Sequence, residues 1–157
     1  MKKQSVLFVC LGNICRSPAA EAIFLDLINK KGLNDFFIVD SAGTGSWHIG
    51  KKADTRMRIA AQKRGVEILS RARQINANDF EKFNYIVAMD DSNFENIIAL
   101  KSQKSLSDFT SIKKIQNFRS IFDDIEVPDP YFGGDEGFDH VLDILEDSVS
   151  GFLDTIS

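Results

Sequence analysis

Ten residues near the N-terminus, Val9-Cys10-Leu11-Gly12-Asn13-Ile14-Cys15-Arg16-Ser17-Pro18, hold the chain's densest chemistry. Cys10 ends a short apolar run, and Arg16 and Ser17 stand after a five-residue turn, just ahead of a segment rich in helix formers. Gly12 and Asn13 tolerate unusual backbone angles, so the turn can aim successive backbone N–H groups at one centre. Such a nest of amides, a helix N-terminus and a guanidinium fork bind a tetrahedral dianion, and phosphate is the natural guest. The same field favours the thiolate form of Cys10, the nucleophilic one. A cysteine at a strand end is often an inert buried thiol; its place between a buried strand and a proline-opened helix favours the nucleophile.

Other cradles for phosphates are missing. The chain has no G-x-x-x-x-G-K-[ST], and Gly43-Thr44-Gly45 is followed by His48 where a dinucleotide fingerprint needs its third small residue. With Cys10, Cys15, His48 and His140 as the whole Cys/His inventory, neither a clustered zinc pattern nor a disulfide framework can be assembled. Both histidines read as surface residues, and the Asp123-Asp124 pair as a solvated face.

The elements that must position this loop alternate. Ser5 to Cys10 reads as a strand buried on both faces. Pro18 opens a helix over Ala19 to Lys31, with Ile23, Leu27 and Ile28 on one face and Gly32 as its stop. Phe36 to Val39 and Tyr85 to Met89 read as strands, Asp54 to Arg64 and Asp91 to Leu100 as helices, and Ile112 to Ile115 supply a fourth strand. Lys101 to Asp108 reads as a polar loop. From Asp135 onward Phe138, Val141, Leu142, Leu145, Val149 and Phe152 fall at spacings of three and four, a final amphipathic helix. Alternation of this kind predicts an α/β fold: a single-domain three-layer sandwich over residues 1–157, with a four-stranded parallel sheet and helices on both faces.

Composition agrees with one globular domain: 157 residues, 43% hydrophobic and 27% charged. Nineteen Lys plus Arg against 23 Asp plus Glu give a net charge of -4, which argues against a nucleic-acid partner. No apolar run reaches the ~20 residues of a membrane span, and the N-terminal apolar stretch is too short for a signal sequence. The expectation is a cytoplasmic protein with no membrane partner, and a monomer.

The Val9–Pro18 segment resembles the signature loop of the low-molecular-weight protein tyrosine phosphatases. Asp40-Ser41-Ala42-Gly43-Thr44, Ala88-Met89-Asp90 and Pro128-Asp129-Pro130-Tyr131 match further segments of that family in order, over essentially the whole chain. The resemblance implies hydrolysis of phosphotyrosine and aryl phosphate monoesters, releasing inorganic phosphate, without metal or cofactor. Cys10 then matches the nucleophile that forms a cysteinyl-phosphate, Arg16 the ligand of the phosphoryl oxygens, and Asp129 the general acid and base. Leu11, Gly12, Asn13, Ile14, Cys15 and Ser17 form the phosphate-binding loop with its amides, and Ser17 also matches a hydrogen-bond partner of the thiolate. Ser41, with Asn13, supports the loop. Trp47 and Tyr131 match aromatic walls that sandwich a phenyl ring.

The chain departs from the family pattern at two places. The family's supporting network uses a histidine where this chain, aligned on Arg73-Gln74, has Ser70, so loop support is altered there. Relatives often carry tandem tyrosines where this chain reads Tyr131-Phe132, and the second phosphorylation site is lost. Cys15 either fills space beneath the loop or, as in the family, captures an oxidised Cys10 as a disulfide. An arsenate reductase of the same fold would need a downstream cysteine pair, and no cysteine follows Cys15. Arginine phosphatases tend to carry threonine where this chain has Ile14, which favours an aryl substrate. A silent phosphoprotein-binding module would have lost Cys10 or Asp129, and both are present.

Overall fold

In strand β1 (Gln4–Cys10) successive side chains point to opposite faces, and both faces are apolar. Val6, Phe8 and Cys10 enter one core while Leu7 and Val9 enter another, so the strand is covered on both sides. The computed structural model describes residues 2–104, 107–131 and 133–157. Strands β2 (Phe37–Gly43), β3 (Tyr85–Ala88) and β4 (Ser111–Lys114) complete a sheet of order β2-β1-β3-β4, in which every neighbouring pair is parallel. One face carries helices α1 (Arg16–Lys30), α2 (Thr55–Gln62) and α5 (Asp135–Ile156). The other carries α3 (Asp79–Lys82) and α4 (Asp91–Lys104), whose Phe80 and Ile97 pack on Ile86 and Ala88. This is the three-layer α/β sandwich the alternation predicts.

Phe152 of α5 sits at the centre of the larger core. Its ring centroid lies 5.1 Å from Phe118, 5.6 Å from Tyr85 and 6.3 Å from both Phe8 and Phe24, tying the last helix to the sheet and to α1. Helix α1 stops at Gly32, whose φ of +69° suits a residue without Cβ, and Leu33 N–H then closes on the Ile28 carbonyl at 2.8 Å.

Several boundaries differ from the sequence expectation. Strand β2 runs four residues past Val39, because Asp40 and Ser41 continue the ladder with β1 while their side chains serve other partners. Helix α4 continues through Lys101–Lys104, which corrects the loop expected there; Lys101 and Lys104 complement the helix C-terminus and the Ser102 hydroxyl donates to the Ile98 carbonyl. Ser105 and Leu106 of that expected loop, and Phe132 in place of a second tyrosine, lie outside the described residues. The short helix α3 was not expected. Asp54 is the N-cap of α2, its side chain accepting from Arg56 N–H, and not the first helical residue. Asp124 is paired with His140 at 3.1 Å, so that acidic pair is only partly a free solvated face.

Candidate active site

The loop from Cys10 to Arg16 leaves the carboxyl end of β1, where Cys10 is paired in register with Gly43. Thr44 N–H donates to the Cys10 carbonyl at 2.9 Å and Gly45 N–H to the Leu11 carbonyl at 2.8 Å, so the chain beyond β2 lies flat against the loop. A Cβ on Gly43 would stand 2.8 Å from the Leu11 carbonyl oxygen, and only glycine allows this approach.

Asn13 gives the loop its bend. It is the one non-glycine residue with positive φ, +57°, among those described, in the left-handed region that asparagine enters more readily than most residues. Both of its side-chain N–H groups and its carbonyl oxygen are engaged. Nδ2 donates to Ser17 Oγ at 2.8 Å and to Ser41 Oγ at 3.0 Å, while Oδ1 accepts from Arg73 N–H at 3.0 Å. Its own backbone N–H points at Cys10 Sγ, 3.3 Å away. Ser17 Oγ lies 3.0 Å from the same sulfur and, having accepted from Asn13, has its single proton left for Sγ or for the Ala42 carbonyl at 3.3 Å. Ser41 in turn donates to Glu21 Oε1 at 2.6 Å. Burial pushes the Glu21 carboxyl up to about 6, against the lowering effect of hydrogen bonds from Ser41 and Ser70. Ser70 therefore offers a neutral hydroxyl to a half-buried acid.

Arg16, the first residue of α1, has a side chain only 3% exposed. Nη1 donates to Asp90 Oδ2 at 2.6 Å and to the Val127 carbonyl at 3.1 Å. Nη2 lies 3.6 Å from Asp129 Oδ2. Burial opposes its charge, yet the negative charge of Cys10 and the Asp90 and Asp129 carboxylates hold the guanidinium above its ordinary value. The guanidinium thus has two fixed contacts behind it and faces the pocket with the rest of its fork.

That pocket is a cavity of about 200 Å³ with Cys10, Leu11, Gly12, Ile14, Cys15 and Arg16 below and Trp47, His48, Asp129 and Tyr131 around the mouth. Trp47 is 67% exposed, which excludes a core role. Asp129 lies in the segment between the 3-10 turn Ile115–Phe118 and α5, its Oδ1 accepting from Tyr131 N–H at 3.1 Å. Nine of the twelve residues singled out from the sequence line this one cavity; Asn13, Ser17 and Ser41 lie buried beneath it.

Four residues were not expected to contribute. His48 lines the cavity, its ring centroid 5.9 Å from that of Tyr131, which corrects its reading as a surface residue. Its imidazole reaches over the loop because Gly12 has no side chain: a Cβ there would meet His48 Cδ2 at 3.0 Å. Asp90 was legible as part of a matching segment but not as the partner of Arg16. Glu21 reads in sequence as an ordinary helix former, and Arg73 as a marker of alignment only. Arg73 also pairs with Asp40 and Asp79, each at 3.0 Å, and so ties the loop to β2 and α3.

A family model described as low molecular weight phosphotyrosine protein phosphatase matches residues 5–157. The low molecular weight phosphotyrosine protein phosphatase of Schizosaccharomyces pombe is 41% identical over 157 residues, covering 99% of each chain. A crystal structure of protein tyrosine phosphatase from Entamoeba histolytica superposes with a TM-score of 0.92 at 41% identity, over 98% of this chain and 97% of that one. The Drosophila arginine phosphatase does so with a TM-score of 0.91 at 35% identity, over 100% and 98%. Matches of this extent, over a loop and pocket built as described, make the chain a member of the low molecular weight phosphotyrosine protein phosphatase family.

Proposed function

We propose that the chain hydrolyses phosphotyrosine and aryl phosphate monoesters through a cysteinyl-phosphate intermediate. Cys10 Sγ attacks phosphorus as the thiolate while the P–O bond to the phenol breaks, and Asp129 gives its proton to the leaving oxygen. The Asp129 carboxylate then takes a proton from the water that displaces Cys10, releasing inorganic phosphate. Arg16 and the loop amides meet the charge on the equatorial oxygens, so the step is assigned to these groups without metal or cofactor. Cys15 does not compete as nucleophile. Burial first, then the negative charges of Asp54, Cys10 and Asp129, push its thiol up. Such chemistry demands a reduced Cys10, a condition the cytoplasm meets.

The observation that carries this reading is the convergence on Cys10 Sγ. Asn13 N–H and Ser17 Oγ approach it from within the loop, and Asp129 stands across the mouth, 3.6 Å from the arginine that would hold the phosphate. The likeness to an arginine phosphatase supports a second reading, phosphoarginine hydrolysis on the same loop. Ile14, Trp47 and Tyr131 give the cavity apolar walls suited to a phenyl ring. Phosphotyrosine, phosphoarginine and phosphoserine peptides of one sequence, assayed in reductant and chelator, separate the two. We expect phosphotyrosine to lead phosphoserine by at least about 100-fold in kcat/KM, a difference of about 3 kcal/mol; phosphoarginine as the fastest substrate would favour the second reading.

A further inference from the structure

We infer that a groove beside the catalytic cavity receives the uncharged chain segment that flanks phosphotyrosine in a protein substrate. The inference rests on the phosphatase reading and deepens it. Leu11 and Trp47 wall both the cavity and this second groove, of about 380 Å³. Beyond that shared wall the groove runs between Thr44 and Gly45, Gln74 and Ile75, and the exposed face of α4 at Asn96, Ala99, Leu100 and Gln103. Among the described residues no charged side chain lines it, although the chain carries 42 charged residues, 19 basic and 23 acidic.

The partition is a built feature. A Cβ on Gly45 would lie 1.7 Å from Trp47 Cζ3, so the indole is laid against a backbone that has been left bare for it. Trp47 and Leu11 remain 67% and 40% exposed, a large apolar surface at the junction of the two depressions. The lining suits a polypeptide. Three amide side chains, Gln74, Asn96 and Gln103, can exchange hydrogen bonds with backbone N–H and C=O groups. Leu100 and Ile75 receive an apolar side chain. A carboxylate or ammonium placed there would lose water with no opposite charge to meet. A phosphotyrosine seated on Cys10 therefore has its neighbours delivered over Trp47 into a channel that selects against charge. Discrimination arises from flanking residues that never touch the reacting atoms.

The test uses the whole chain with phosphotyrosine peptides carrying single leucine, aspartate or lysine substitutions at each of the three positions on either side, beside para-nitrophenyl phosphate. On one side of the phosphotyrosine, leucine should raise kcat/KM about tenfold over aspartate or lysine. Ala99→Glu, on the exposed face of α4, should erase the leucine preference and favour lysine at that position, and Ala99→Lys should favour aspartate. Turnover of para-nitrophenyl phosphate should be unchanged in both. Peptide rates that agree within twofold across the series, or a ranking that Ala99→Glu leaves as it was, would overturn the groove while para-nitrophenyl phosphate turnover keeps the phosphatase reading standing. Absence of that turnover in the native chain would sink the phosphatase reading itself.

Discussion

Asn13 shows how much of the site rests on single side chains. Its left-handed backbone directs an amide at Cys10, and its carboxamide holds Ser17, Ser41 and Arg73 together. Sequence made Cys10, Arg16 and the loop legible, since strand, turn and helix adjoin along the chain. Glu21 and Asp90 stayed hidden, because each acquires its role through a contact distant in sequence: Glu21 with Ser41, 20 residues away, and Asp90 with Arg16, 74 residues away. Asp129, proposed as the group that protonates the leaving oxygen, matters most when that oxygen is a poor leaving group. Asp129→Asn should lower kcat on phenyl phosphate by about 100-fold or more and on para-nitrophenyl phosphate by much less; equal losses would reject it as the acid. Glu21 makes a prediction about stability. Its carboxyl is raised from 4.5 to about 6 in the folded chain, so between these pH values the native state keeps a proton that the unfolded chain has released. The native advantage is complete below pH 4.5 and is lost as pH rises through 6, by up to about 2 kcal/mol. Urea unfolding of Glu21→Gln should show the variant gaining on the native chain across this window and a constant difference above pH 7. A difference independent of pH throughout would contradict the assignment.

At the scale of elements, patterns that depend on one neighbour were readable and those that depend on several were not. β1, α1 and α5 follow directly from apolar runs or from three-and-four spacing, because one dominant face decides each of them. The carboxyl end of β2 escaped notice, since Asp40 turns to Arg73 and Ser41 to the loop, and polar residues of that kind mimic a turn. The contact of α5 with the short 3-10 turn Ile115–Phe118 was equally invisible, yet it is tight. A Cβ on Gly151 would lie 2.1 Å from the Phe118 carbonyl oxygen, backbone against backbone, with no flexible side chain to yield. Gly151→Ala should therefore destabilise despite its favourable helix propensity, by about 1–3 kcal/mol. That corresponds to a fall in Tm of at least about 3 °C by circular dichroism. An unchanged or raised Tm would mean that helix and turn can slide apart at no cost.

The architecture of the whole molecule accounts for where the site lies. In the order β2-β1-β3-β4 the chain leaves β1 first to one side and later to the other, so the carboxyl end of β1 is the point at which the connections diverge. Crevices of doubly covered parallel sheets open at such points. Cys10 ends that strand, α1 presents its N-terminus to the same crevice, and Asp90 and Asp129 arrive from beyond β3 and β4. Alternating strands and helices sufficed to predict the sheet and the strand end where chemistry belongs; the closing of the mouth by Asp129, His48 and Trp47 required loops whose paths no periodicity encodes. The account as a whole stands on Cys10 as the nucleophile. Its most direct test is hydrolysis of para-nitrophenyl phosphate, in reductant and chelator, by the native chain and by Cys10→Ser. We expect metal-independent turnover by the native chain and a loss of at least about 1000-fold in kcat in the variant, which should still bind inorganic phosphate because Arg16 and the loop amides remain. A Cys10→Ser chain that keeps a substantial fraction of the native rate would contradict the mechanism at its centre.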